Sequence, residues 1–195
     1  MFQLVHMRDV IMIPPHRLGW ELTKHLRDQL AIKYGNKVIY NIGLVIALFD
    51  ILDMTEPVVL PGQPDVIITL EFRVIVFRPF IGEVLNGHVF KSTHEGVHVH
   101  VDFFHDILIT QDCLPQDSVW QENEQVWVWK YKVEDNTHDL YIDKGEPIRF
   151  SITKEKFVDI AVDKKGQDDN KETELPYKLY AQITDPGLGL LTWWN

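Results

Sequence analysis

The chain has 195 residues, a formal net charge of -10 and a composition that is 45% hydrophobic and 25% charged. This length suits one large globular domain or two small ones. No stretch approaches the ~18 to 20 apolar residues that a membrane-spanning helix needs, so we expect no membrane association. The single cysteine, Cys113, excludes an internal disulfide and fits a reducing compartment.

The acidic excess lies in the second part of the chain. Residues 1–80 contain eight basic and eight acidic side chains, whereas residues 81–195 contain eleven basic and twenty-one acidic side chains. An acidic surface repels phosphate groups. Any binding of nucleic acid by residues 81–195 must therefore depend on a local basic patch.

The chain begins with patterns typical of a strand and a helix. Residues 2–13 alternate as a strand, which Pro14 and Pro15 end. Residues 16–34 predict an amphipathic helix that ends at Gly35 and packs on a sheet. The apolar stripe of this helix consists of leucines at every fourth position: Leu18, Leu22, Leu26 and Leu30.

Two further strands complete a first domain at residues 1–80. Residues 36–51 are rich in β-branched side chains and predict one long strand with an irregularity at Gly43. Residues 56–65 contain three prolines and predict a loop. Residues 66–80 predict the last strand, and the first domain is therefore expected to be α+β.

Residues 81–195 predict a small β-barrel that follows without a linker, so we expect a rigid pair of domains. A strand begins after Gly82, and turns separate it from an alternating strand at 97–101 and an apolar run at 107–109. Apolar alternation predicts the remaining strands: a hairpin at about 125–143, then 147–153 and 177–183. Residues 163–174 lack large apolar side chains, and a disordered acidic insertion is predicted at about 163–175.

Five histidines between positions 88 and 105 raise the possibility of a metal site. His98 and His100 lie two residues apart on a predicted strand and therefore face the same side. Two imidazoles need a third ligand, and no cysteine pair or HExxH spacing supplies one. We therefore favour solvent-facing histidines and expect no metal, no cofactor and no catalytic residues, with a metal-dependent enzyme as an alternative.

Aromatic side chains in the predicted hairpin indicate a binding surface. Trp127, Trp129 and Tyr131 share one face of their strand, and Lys130 and Lys132 lie on the other. Aromatic rings flanked by cations form stacking platforms for single-stranded nucleic acid. Tryptophans in a hairpin more often pack or contact a partner protein, so both interpretations stay open.

The sequence resembles a known family along almost its whole length, apart from the acidic insertion. In chain order, the similar segments of the first part are IPP at 13–15, YNIGL at 40–44, FDI at 49–51, LPG at 60–62, FRVIVFRPF at 72–80 and GEV at 82–84. Those of the second part are EGVHV at 95–99, FF at 103–104, QVWVW at 125–129, HDLY at 138–141, PGLGLL at 186–191 and WW at 193–194. Together they resemble the stalk subunit of DNA-directed RNA polymerases, a family with archaeal and eukaryotic members, and most of all its RNA polymerase III member.

The resemblance implies an α+β tip domain at 1–80 that docks on the polymerase core, followed by an all-β OB-fold barrel at 81–195 with an inserted hairpin. It also implies a nuclear heterodimer with a second, helical stalk subunit, a role in transcription initiation with contacts to initiation factors, and contact with emerging RNA. Alternatives are a free-standing single-stranded RNA-binding barrel and the RNA polymerase II paralogue.

Three sets of candidate residues follow from the motifs and the resemblance. The candidates for docking on the polymerase core are Asn41, Ile42, Gly43, Pro61 and Gly62. The candidates for contact with a partner subunit are Trp127, Leu190, Trp193 and Trp194. The candidates for RNA contact are Lys91, His98, His100, Trp129, Lys130, Lys132 and Arg149. Many RNA-binding barrels of this type carry stacking residues where this chain has Glu95, His98 and Ile109 or Thr110, so we expect RNA contact to be weak.

Overall fold

The computed structural model of the chain describes residues 1–19, 21–62, 64–133, 136–158 and 175–194. Contacts between residues divide the chain into two compact units, Met1–Arg78 and Pro79–Asn195, which we call the first and second units. Among the described residues, no helix has the length and apolarity to cross a membrane. The predicted acidic insertion lies outside the described residues, except for Leu175.

The first unit is an antiparallel sheet with one α-helix. Its described elements are β1 (Phe2–Ile13), α1 (Leu22–Tyr34), β2 (Val38–Ile39), β3 (Gly43–Met54), β4 (Val58–Val59) and β5 (Val66–Phe77). The strand order is β1-β5-β3-β2, and β4 also pairs with β5. β1 and β5 pair along their whole lengths, from Phe2 opposite Phe77 to Ile13 opposite Val66.

Helix α1 covers one face of this sheet, as its leucine stripe predicts. Leu26 and Leu30 are buried against the sheet, and Leu18 and Leu22 pack around them. The predicted start of the helix at residue 16 is wrong. Residues Pro15–Arg17 form a 3-10 turn, and α1 begins at Leu22. Gly19, which lies between the two elements, disfavours a continuous helix.

The prediction of one long strand at 36–51 is also wrong. The segment forms two antiparallel strands, β2 and β3. Asn41 between them has a φ of 59°, and the N–H of Ile42 donates to the carbonyl of Ile39. Gly43 has a φ of 126°, and a Cβ atom there would lie 2.7 Å from the carbonyl oxygen of Phe77. The turn therefore depends on two residues: Asn41, which adopts the left-handed conformation, and Gly43, where the backbone of β5 leaves no room for a side chain.

The ends of two other predicted elements differ from the structure. The predicted loop at 56–65 contains the short strand β4, which pairs with the start of β5. β5 ends at Phe77 rather than at residue 80. Pro79 lacks an N–H to donate to a neighbouring strand, which explains why the ladder does not continue through it.

The second unit contains a closed barrel and a separate small sheet. Its described strands are β6 (Val84–Thr93), β7 (Gly96–Val101), β8 (Phe104–Thr110), β9 (Ser118–Gln121), β10 (Val126–Val133), β11 (Asn136–Ile142), β12 (Pro147–Phe157), β13 (Tyr177–Gln182) and β14 (Gly189–Leu190). β6, β7, β8, β13 and β12 pair in a closed circle, so the predicted barrel is confirmed. The β8–β13 pair is parallel, and the other pairs in the circle are antiparallel.

Alternating apolar residues fill the barrel. Val97, Val99, Ile107 and Ile109 point inward from β7 and β8 and are fully buried, together with Phe150 of β12. β9, β10 and β11 form a three-stranded antiparallel sheet with β10 in the middle. Sequence reasoning missed β9, because four residues are too few for a clear alternation.

Candidate RNA-contact and partner surfaces

Aromatic rings cover the outer face of the barrel where β6, β7 and β8 lie side by side. The rings of His88 and His100 are stacked with centroids 5.7 Å apart, and those of His100 and His105 are stacked at 5.1 Å. The Phe90 ring lies nearly perpendicular to the rings of His100 and His105, with centroids 6.2 Å and 5.9 Å away. We call His88, Phe90, His100 and His105 the histidine patch.

Irregular pairing of the strands assembles this patch. The β6–β7 ladder shifts between Val89 and Lys91, and the β7–β8 ladder shifts between Val99 and Val101. Such bulges turn side chains away from their regular directions. Sequence reasoning missed His88, Phe90 and His105 as members of the patch, although the spacing of His88 and Phe90 on one strand was a usable signal.

His98 and His100 are half-buried on the outer face of the barrel, whereas His88 and His105 are exposed. Burial lowers the pKa of His98, and nearby Lys178 and Lys91 lower it further. Burial also lowers the pKa of His100, as do His105 and His88. A lowered pKa favours the neutral form of the His98 and His100 rings at pH 7, which offers a stacking surface rather than positive charge.

The geometry of the patch does not favour a metal ion. Stacked rings present their faces, and not their nitrogen atoms, to one another. In the described ranges, no group of three or more His, Cys, Asp or Glu residues is arranged to hold a metal ion. The Nδ1 atom of His100 is buried and has no hydrogen-bond partner among the described residues.

Of the predicted RNA-contact residues, His100 belongs to the histidine patch, and three others lie on the strands β6, β7 and β12 of the barrel. Lys91 lies opposite His98 across the β6–β7 ladder. Arg149 on β12 lies opposite Asn86, and Asn86 is two residues before His88 on β6. The Nε of Arg149 donates to the side-chain oxygen of Asn86 at 3.3 Å. Lys144, which sequence reasoning missed, places its Nζ 5.8 Å from the centroid of the Phe90 ring.

The other three RNA candidates lie on β10, in the separate sheet. The Nζ of Lys132 lies 2.8 Å from a carboxylate oxygen of Asp117. This ion pair makes the lysine less available to bind a phosphate group. Lys130 is exposed, and Trp129 is half-buried between the rings of Tyr131 and Trp193. The structure thus divides the RNA candidates between the barrel and the three-stranded sheet.

Two of the four predicted partner contacts are buried inside the second unit. Trp127 is 2% exposed, and its Nε1 donates to the carbonyl of Thr93 at 2.9 Å. Leu190 is also 2% exposed and pairs with Ile148 of β12. A buried side chain offers no surface to a partner, so both are corrected to core residues. Trp194 is 52% exposed.

The core-docking candidates lie at opposite ends of the first unit. Gly43 contacts Phe77 at the end of β5, whereas Pro61 and Gly62 follow β4, which pairs with the start of β5. A twelve-residue strand is ~40 Å long. These candidates are therefore two separate groups. Gly43 is buried, whereas Pro61 and Gly62 are exposed.

Comparison with known proteins identifies the family. A family model described as "RNA polymerase III subunit Rpc25" matches residues 83–194, more than half of the chain. The chain belongs to the RNA polymerase III subunit Rpc25 family. A second model, "SHS2 domain found in N terminus of Rpb7p/Rpc25p/MJ0397", matches residues 8–64.

Curated relatives align with this member of the Rpc25 family from end to end. The protein called DNA-directed RNA polymerase III subunit RPC8 is 42% identical in Bos taurus, over 100% of this chain and 99% of the relative. Proteins of the same name are 38% identical in Schizosaccharomyces pombe and 33% identical in Saccharomyces cerevisiae, each over 100% of both chains. The resemblance predicted from the sequence is therefore confirmed, including its polymerase III branch.

The two matches of the Rpc25-family chain correspond to the two units. The SHS2 match lies in the first unit and includes every core-docking candidate. The Rpc25 match lies in the second unit and includes the histidine patch, the three-stranded sheet and the tryptophans near the end of the chain.

Proposed function

We propose that this chain is a non-catalytic stalk subunit of nuclear DNA-directed RNA polymerase III, without an active site of its own. The observation that carries the proposal is the full-length alignment with proteins named as RNA polymerase III subunits. Because both units take part in the alignment, the proposal applies to the whole chain and not to a shared barrel alone.

In this proposal the first unit is the tip domain that docks on the polymerase core. The segment around Pro61 and Gly62 suits docking better than the Asn41–Gly43 turn, because Val58, Val59 and Leu60 beside it are 52%, 64% and 42% exposed. Apolar side chains exposed at the end of a sheet are typical of a surface that a partner covers.

The second unit acts in this proposal as an OB-fold barrel, with β9–β11 as an insertion between β8 and β12. Its outer face contacts emerging RNA weakly. Phe90 is 47% exposed and offers a stacking surface, while Lys91 next to it and Arg149, which lies opposite Asn86 on the same strand, supply positive charge. Weak contact is expected because His98 and His100 favour their neutral form and the second unit carries the acidic excess.

The remaining part of the proposal concerns protein partners. The chain pairs with a second, helical stalk subunit and contacts initiation factors. The exposed apolar residues Phe80, Ile81 and Val84 at the start of the second unit support a protein contact there, since they are 61%, 68% and 52% exposed.

Affinity purification of the tagged chain from native extract tests the assignment. We expect the large subunits of RNA polymerase III to co-purify with it in stoichiometric amounts. Recovery of the chain as an isolated monomer, or with RNA polymerase II subunits instead, contradicts the proposal.

RNA contact is tested by fluorescence anisotropy with a labelled single-stranded oligouridine. Lys91→Glu should weaken binding several-fold and make the salt dependence shallower, because one phosphate contact is lost. The matched control is Lys24→Glu on α1, which changes the same charge on the first unit. Equal losses in both variants argue against a specific role for Lys91.

A further inference from the structure

An aromatic cavity of about 200 Å³ lies in the second unit between β10 and the end of the described chain. The residues that line it include Trp129, Trp193, Trp194, Pro115, Pro186 and Asp185, which we call the aromatic groove. Pockets that enclose small molecules are usually ~300 to 1,000 Å³. This cavity suits a few side chains of a peptide that lies across the surface.

The walls of the aromatic groove are held in place by the chain itself. A Cβ atom on Gly189 would lie 2.4 Å from the Trp193 ring, so the ring packs directly on the glycine backbone. The Nε1 of Trp194 donates to the carbonyl of Leu188 at 3.1 Å. The Trp129 ring lies 5.1 Å from the Trp193 ring. A preformed site loses little conformational entropy when it binds a ligand.

The polar atoms of the groove indicate what kind of ligand fits. Within the described ranges, neither Trp129 nor Trp193 donates its indole N–H to another residue. A polyproline II segment has carbonyl groups that make no internal hydrogen bonds, and its rings stack on aromatic side chains. The groove thus offers aromatic rings on which such a segment can stack, and the residues that line it include two indole N–H groups that are not engaged within the described ranges.

Charge narrows the choice of ligand. Asp185 at the groove is exposed, and the second part of the chain carries the acidic excess. A basic residue in the ligand is favoured by this charge, whereas the phosphates of RNA are repelled. We infer that the aromatic groove binds a proline-rich, basic segment of a partner protein in the polyproline II conformation.

The test uses the full-length chain and a labelled peptide of two arginines followed by eight prolines. We expect saturable binding by fluorescence anisotropy, weakened at least ~10-fold by Trp129→Ala, which removes a central aromatic wall. Tyr141→Ala is the matched control, since Tyr141 is an exposed aromatic residue of the same sheet that does not line the groove. It should leave the affinity unchanged.

A charge reversal provides a second, independent readout. Asp185 is exposed, so Asp185→Lys should fold normally, which circular dichroism checks. The variant should prefer a peptide in which glutamates replace the arginines. No saturable binding to the wild type, or no change of preference in Asp185→Lys, overturns the inference. So does tighter binding of oligouridine than of the peptide at this groove.

Discussion

Replacing Trp127 with phenylalanine tests whether this side chain fastens the three-stranded sheet to the barrel. Trp127 lies on β10 and is 2% exposed. Its Nε1 donates to the carbonyl of Thr93 on β6 at 2.9 Å, and its ring packs against Trp120 of β9 at 5.6 Å between centroids. One residue thus contacts both parts of the second unit.

The expected loss of stability has two sources. Phenylalanine cannot donate the hydrogen bond, which is worth ~1 kcal/mol, and it leaves the Thr93 carbonyl without this donor. The smaller ring also leaves a gap equivalent to one or two methylene groups, at about 0.8 kcal/mol each. The free energy of unfolding should therefore fall by ~2 to 3 kcal/mol, a large part of the ~5 to 15 kcal/mol typical of a domain.

Urea unfolding followed by far-UV circular dichroism measures this change without relying on tryptophan fluorescence. Trp194→Phe is the matched control: it also removes an indole hydrogen bond, to the carbonyl of Leu188, but Trp194 is 52% exposed, so the free energy of unfolding should fall by only ~1 kcal/mol. A Trp127→Phe unfolding midpoint equal to that of the wild type would refute the reasoning, and so would an equal loss in the control.

Two further predictions concern a glycine and a histidine of β7. Gly96 has a φ of 149°, and a Cβ atom there would lie 2.0 Å from the carbonyl oxygen of Ile109. Gly96→Ala should therefore lower the free energy of unfolding, measured in urea, by over ~2 kcal/mol. The control is Gly145→Ala, which should lower it by only ~1 to 2 kcal/mol, because Gly145 has a φ of 90° but open space around it. Burial holds the pKa of His98 below its ordinary value of 6.5, so below about pH 6.5 the unfolded chain binds a proton that the folded chain does not. Stability should therefore fall as the pH is lowered through about 6.5, and this fall should be smaller in His98→Gln. An unchanged pH dependence contradicts the assignment.

Local patterns predict most of the strands but not how they close into a barrel. The alternation of β1, β5 and β7 and the leucine stripe of α1 identify these elements because side-chain periodicity depends only on neighbouring residues. The parallel β8–β13 pair, which completes the circle, joins segments about seventy residues apart. The left-handed conformation of Asn41 is also invisible in composition, which explains why β2 and β3 were predicted as one strand.

The candidate sites show a similar limit. Trp127 and Trp129 have the same spacing signal, yet one is buried and the other lies at a groove, because packing between sheets distinguishes them and local sequence does not. The histidine patch depends on two bulges, in the β6–β7 and β7–β8 ladders, and the sequence pattern does not predict where they lie. The residues near Pro61, by contrast, were found through family resemblance, and their exposure agrees with a surface position.

Closure of the barrel through β13 has a consequence for the order of events during synthesis. β6, β7 and β8 are made early, but β8 and β12 both lack a neighbour on one side until residues 177–182 arrive. Until then their open edges are free to pair with other chains, a known route to aggregation. The nascent protein is therefore most exposed to misassembly just before β13 is added, and a second subunit or a chaperone that covers those edges would protect it.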